Sequence, residues 1–159
     1  FLLRTIPDTH VLVVKEHPAQ IGAIPAGRLF ELARRFDNFI LLPPQTNNYT
    51  VLGRADAIVS VNSKSGAEAV LLGKPVVVMG DAFYRACPLV FAVDRLADVP
   101  QRLRDALAAP PFDPADTAPY FETAWRRSFP GELYISDAGQ LDTFAASLLS
   151  AIAEPHRAD

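Results

Sequence analysis

The sequence predicts an α/β fold in which a parallel sheet carries helices on both faces, and three observations lead there. Short apolar runs alternate with stretches of helical periodicity over residues 10–107. The runs, among them residues 39–42 and 76–79, are continuously apolar rather than alternating, as in strands covered on both faces. Polar segments follow these runs directly, at the strand ends where open α/β sheets hold their ligands.

The elements follow in order. "THVLVVKEHP" predicts a strand over residues 10–14 that ends in the polar loop Lys15-Glu16-His17-Pro18. "IPAGRLFELARRF" places Leu29, Phe30, Leu32, Ala33 and Phe36 on one helical face. "NFILLPP" is a second buried strand, closed by Pro43-Pro44. "NNYTVLGRA" makes a short helix that Asn47 or Asn48 can cap. "DAIVSVN" is a third strand, "SGAEAVLLG" a helix ending at Gly73, and "KPVVVMG" a fourth strand. "LVFAVD" is a fifth, followed by the helix "LADVPQRLRDALAA", where Pro100 fits only near the start. "APPFDPADTAP", residues 109–119, reads as an extended proline-rich linker. Two helices follow, "YFETAWRRSF" and the amphipathic "AGQLDTFAASLLSAIAEP" with Leu141, Phe144, Leu148, Leu149 and Ile152. The expected division is 1–108 for the sheet domain and 109–159 for a linker and helices packing on that domain.

Composition narrows the classes of function. Half of the 159 residues are apolar and 21% are charged, as in a globular chain large enough to bury a core. A net charge of −3 argues against nucleic acid, which needs a basic face, yet leaves room for a small anion held by local donors. The apolar runs are too short to span a bilayer. The single cysteine, Cys87, has no partner for an internal disulfide and fits a reducing cytoplasm. The chain opens at Phe1 in mid-phrase and reaches a strand within a few residues, as expected of a piece of a longer polypeptide.

Chemistry concentrates after two strands. In "VNSKSGAEAV" a helix beginning near Ser65 offers the hydroxyls of Ser63 and Ser65 and its first N–H groups, which suit a phosphate or carboxylate. Gly66 allows a ligand to approach the backbone. The same residues also describe a self-capped helix, with Asn62 or Ser63 as cap and Glu68 answering in a capping box. His17, held extended by Pro18, can donate to an anionic oxygen, or be a surface histidine. Lys15 and Glu16 are equally open to solvated and functional roles. His10 and His156 have no supporting context. The histidines and the cysteine lack metal-ligand spacing, and neither nucleotide-loop motif nor nucleophile elbow is present.

The order of these phrases, "KEHP" and then "ADAIVSVNSKSGAEAVLLGKPVVVMGDAFY", resembles the capsule polysaccharide biosynthesis family, which is similar to β-Kdo glycosyltransferases using CMP-Kdo. The resemblance runs from about residue 11 to 84. Its most specific part is N-S-x-x-G-x-E-A-x-x-x-G-K-P-V followed by G-D-A-F-Y. It implies the C-terminal half of a GT-B enzyme, a Rossmann-like nucleotide-sugar donor domain whose catalytic acidic residue lies in an N-terminal half. His17, Ser63 and Ser65, with Asn62 and Gly66 in the same turn, would then hold the CMP phosphate. Glu16 or Glu68 would accept from the ribose hydroxyls. No residue here matches the catalytic one, and no metal or cofactor is implied beyond the nucleotide-sugar substrate. Lys64 departs from the small residue, often Thr, expected between the serines. The implied partners are the donor, a glycan or glycolipid acceptor and the missing GT-B half, with no nucleic acid. The implied location is cytoplasmic, at the inner face of a bacterial membrane through the acceptor. The alternatives are a UDP-sugar epimerase or UDP-sugar transferase half, and a non-catalytic GT-B-like binding module.

Overall fold

The computed structural model describes residues 1–131 and 137–153. They form two compact units, Phe1–Ala118 and Pro119–Asp159. In the first, β1 (Leu12–Lys15) pairs in parallel with β2 (Phe39–Leu42), Leu12 opposite Phe39 and Lys15 opposite Leu42. The β1 run begins later than its apolar residues do and takes in Lys15, so the polar loop starts at Glu16. Between the strands, α1 (Ala26–Arg35) lays Leu29 and Leu32 over Leu12, Val14 and Phe39. That is one face of the pair.

The other face departs from the expectation of full cover. Val11, Val13 and Ile40 remain 53%, 41% and 42% exposed. Val13 and Ile40 are register partners on the side away from α1, so the apolar run continues through a face that no described residue closes.

The second ladder is better covered. β3 (Ile58–Ser60), β4 (Val76–Val78) and β5 (Val90–Ala92) pair in parallel in the order β3-β4-β5. The central strand has no exposure at any of its three valines. Its Val77 packs with Val93, Val99, Leu103 and Ala106 beneath α4 (Val99–Leu107). Helix α3 (Lys64–Leu71) packs on β3 and β4 through its fully buried Ala69 and Val70. Pro100 sits in the first turn of α4, where its missing N–H costs nothing. Parallel strands flanked by helices make this a Rossmann-like α/β unit, although its pairing is divided between two ladders.

Local features explain where the elements stop. Helix α3 closes in a Schellman motif: Lys74 N–H bonds Ala69 O, Gly73 N–H bonds Val70 O, and Gly73 takes φ 69°. A side chain on Gly73 would also press on the carbonyl of Phe112 and the ring of Pro114. Part of the proline-rich stretch therefore packs rather than extends. Pro114–Thr117 is a 3-10 turn capped by Asp113, and Thr117 is wholly buried with its hydroxyl donating to Pro114 O. Leu89 adopts φ 72° just before β5, where its carbonyl accepts from Val76 N–H. Cys87, nearby, is buried, and desolvation raises its thiol pKa to about 11.

The second unit contains the helices expected at the C-terminal end. α5 (Ala118–Arg126) opens at the boundary, and α6 is Ala138–Ala153. The hydroxyl of Ser147 donates to Pro130 O, and Gly131, at φ 132°, lies directly against Phe144. Leu141, Leu148, Leu149 and Ile152 of the amphipathic face are exposed. Among the described residues no helix is long and apolar enough to cross a membrane.

The contrast between the ladders is testable. Val77→Ala empties space in the closed core and should cost about 2 kcal/mol, whereas Val13→Ala, on the open face, should cost well under 1. Urea unfolding of both variants measures the difference; equal losses would mean that the face around Val13 is covered.

Candidate functional site

Strand β3 ends at Ser60, and its hydroxyl begins the construction of the site. Ser60 Oγ accepts the N–H of Ser63 at 3.2 Å, curling Val61-Asn62-Ser63 back over the strand end. The buried phenol of Tyr84 donates to Ser63 O at 2.7 Å and also lies 3.2 Å from Ser60 Oγ. With the phenol proton committed to Ser63, the Ser60 hydroxyl is the donor to Tyr84, and every group in this buried network is satisfied.

The glycines of the motif fit around the same network. A Cβ on Gly66 would run into the Tyr84 hydroxyl and stand 2.5 Å from its Cζ. A Cβ on Gly80 would run into Asn62 Oδ1 and stand 2.9 Å from Val61 O. N-S-x-x-G and G-D-A-F-Y are therefore two sides of one interlock: Asn62 lies on Gly80, and Tyr84 lies under Gly66. Arg85 ties the next loops together, donating to Gly80 O at 3.0 Å and pairing with Asp94 at 2.5 Å.

Helix α3 starts at Lys64, one residue before its expected start, with Ser63 as cap and Ser63 Oγ accepting Ser65 N–H at 3.2 Å. The capping-box expectation fails on spacing, because the position three beyond the cap is Gly66, whose N–H bonds Ser63 O. Glu68 is engaged elsewhere. Its Oε2 accepts from Asn48 Nδ2 at 2.7 Å, and the same nitrogen donates to Ser65 Oγ at 3.1 Å. Asn48 opens α2 (Asn48–Arg54), which Asn47 caps through Thr50 N–H. One asparagine is enough for a cap, so the second in "NNYT" was the available signal for a residue the sequence reading missed.

The loop after β1 is organised by its own polar residues. Glu16 Oε1 accepts from the N–H groups of Gly22 and Ile24, both at 3.2 Å, with Gly22 at φ 85°. His17 caps the 3-10 turn Pro18–Gln20, its Nδ1 accepting Ala19 N–H at 3.2 Å. That bond places the proton of the neutral ring on Nε2, leaving the exposed imidazole as a donor. Lys15 Nζ donates to Pro44 O at 3.3 Å, joining the end of β1 to the loop after β2. Thus Asn62, Ser63, Ser65, Gly66 and Glu68 share one turn, whereas no hydrogen bond among the described residues joins Glu16 or His17 to it. Among the described residues, no group of three His, Cys, Asp or Glu is placed to hold a metal ion.

The Tyr84–Gly66 contact yields a double-mutant test. Gly66→Ala should destabilise by about 1–3 kcal/mol through overpacking, and Tyr84→Phe by a similar amount through the lost bond to Ser63. Because the methyl group and the phenol oxygen would compete for one space, the double variant should lose less than the two losses added. Strict additivity in thermal melts would show that they do not meet.

No curated protein and no solved structure matches the chain. A family model described as capsule polysaccharide biosynthesis protein matches residues 2–92. That span begins in the 3-10 turn Leu2–Arg4 and ends with β5, so it includes both ladders and the whole polar turn between β3 and α3. With more than half of its length inside that match, the chain belongs to the capsule polysaccharide biosynthesis protein family.

Proposed function

We propose that Phe1–Ala118 is the nucleotide-sugar-binding, C-terminal half of a GT-B glycosyltransferase that takes Kdo from CMP-Kdo. Family membership assigns the chain to capsule polysaccharide synthesis. The finer reading is carried by one observation: within the family match, a polar segment bearing the hydroxyls of Ser63 and Ser65 and the carboxylate of Glu68 follows β3, at the carboxyl end of a parallel strand. Ligands of open α/β sheets bind at that rim.

In the proposed reaction an acceptor hydroxyl bonds to the anomeric carbon while the bond from that carbon to the CMP phosphate breaks. The electron pair departs with the phosphate, and charge grows there. His17, whose Nε2 carries a proton free for donation, and the hydroxyl of Ser63 are the donors suited to that charge. Ser65 lies beside Ser63 at the start of α3. Asn62 and Gly66 shape it through Gly80 and Tyr84. The two carboxylates proposed for the ribose each have one oxygen engaged and one open, and Glu68 suits the diol better because Asn48 joins it to the hydroxyl of Ser65. The base that takes the acceptor proton belongs, in this proposal, to the N-terminal half of the enzyme. The acceptor, a glycan or glycolipid, would bring the protein to the inner face of the membrane.

Calorimetry with CMP, UMP and cytidine tests the reading. CMP binding with little affinity for UMP supports a CMP-sugar donor; preference for UMP would assign the unit to a UDP-sugar enzyme instead. If His17 holds the phosphate, His17→Ala should weaken CMP by about 1.5–3 kcal/mol and leave cytidine unchanged. Equal losses for both ligands would make His17 only the cap of its turn.

A further inference from the structure

We propose that Asn48 is a positioning residue that fixes Ser65 and Glu68 as one diol-recognising pair, so that Ser65 serves the ribose of the donor rather than its phosphate. The inference rests on the donor-site reading above and deepens it. A single nitrogen, Asn48 Nδ2, donates to Ser65 Oγ at 3.1 Å and to Glu68 Oε2 at 2.7 Å. All three side chains are half-buried in the seam where α2 meets α3. Neither oxygen can move far without losing its share of that donor.

The bonding leaves a defined set of groups for a ligand. Ser65 Oγ accepts from Asn48, so its own proton is available to donate outward. Glu68 uses Oε2 on Asn48, which leaves Oε1 as an acceptor. One donor beside one acceptor matches a vicinal diol, in which one hydroxyl donates to Glu68 while its neighbour accepts from Ser65. A phosphate matches poorly. It can use only the Ser65 proton, and it would bring its charge beside the Glu68 carboxylate in a partly desolvated seam, where like charges repel more strongly than in water. Asn48 also suits this role chemically, because its amide adds donors without adding charge. An aspartate there would face Glu68 with a second carboxylate.

The test compares CMP with 2′,3′-dideoxycytidine monophosphate, which keeps base and phosphate and lacks only the diol. Wild-type protein should bind CMP about tenfold or more tightly than the dideoxy nucleotide, as expected when a hydrogen bond to a charged group is lost. In Asn48→Ala that preference should collapse towards unity through loss of CMP affinity, with dideoxy binding unchanged. Glu68→Gln, which keeps the side-chain volume, should collapse it in the same way and serves if Asn48→Ala does not fold. A parallel fall for both nucleotides in either variant would overturn the inference, because damage to the fold does not distinguish them. Wild-type protein that binds both nucleotides equally overturns it too, while leaving the donor site standing. Wild-type protein that binds neither overturns the donor-site reading and this inference together.

Discussion

A phenol with no solvent exposure must find partners for its oxygen within the protein, and in this chain Tyr84 finds them at the end of β3. Its bond to Ser63 O fixes the residue that caps α3, and its bond with Ser60 fixes the strand end from which that residue springs. The ring occupies the volume a side chain at position 66 would need. From this one arrangement follow the start of α3 at Lys64 and the placement of Ser65 and Glu68 towards α2. Without the phenol, Ser63 O would keep only the Gly66 N–H, and a gap would open beneath the glycine.

The two ladders are joined by side chains rather than by strand pairing. Leu2 packs with the α4 core while its neighbour Leu3 packs with the α1 core, so a single 3-10 turn pins both. At the carboxyl ends, Asn48 joins α2 to α3, and Lys15 ties the end of β1 to the loop after β2. Such links hold the loops in a common arrangement while the strands remain in separate ladders. Fixed geometry of this kind lets preorganised donors act on a developing charge without first being ordered.

The α/β class and the sequence of elements were legible because continuous apolar runs and helical periodicity are local patterns. So were the C-terminal stop at Gly73 and the first-turn place of Pro100, which depend on the chemistry of one residue. What was not legible depended on distant partners. Gly66 looked like a site of close ligand approach, yet the residue that demands a glycine there lies eighteen positions on, at Tyr84. Glu68 looked like half of a capping box until α2 supplied Asn48. The proline-rich stretch looked extended because its prolines do not reveal that α3 ends against Phe112 and Pro114. The open face of β1 and β2 was hidden for the same reason: an apolar run states a preference for cover, and cover comes from another element.

Cys87 gives this arrangement a built-in reporter. It lies three residues beyond Tyr84, and its N–H bonds the Tyr84 carbonyl at 3.0 Å. Burial both shields the sulfur and holds its pKa near 11, so very little reactive thiolate exists at neutral pH in the closed state. As the sequence has no other cysteine, an alkylating reagent in excess can mark this position alone. Labelling then counts the openings that bring Cys87 to solvent, turning a static burial into an opening equilibrium that can be timed.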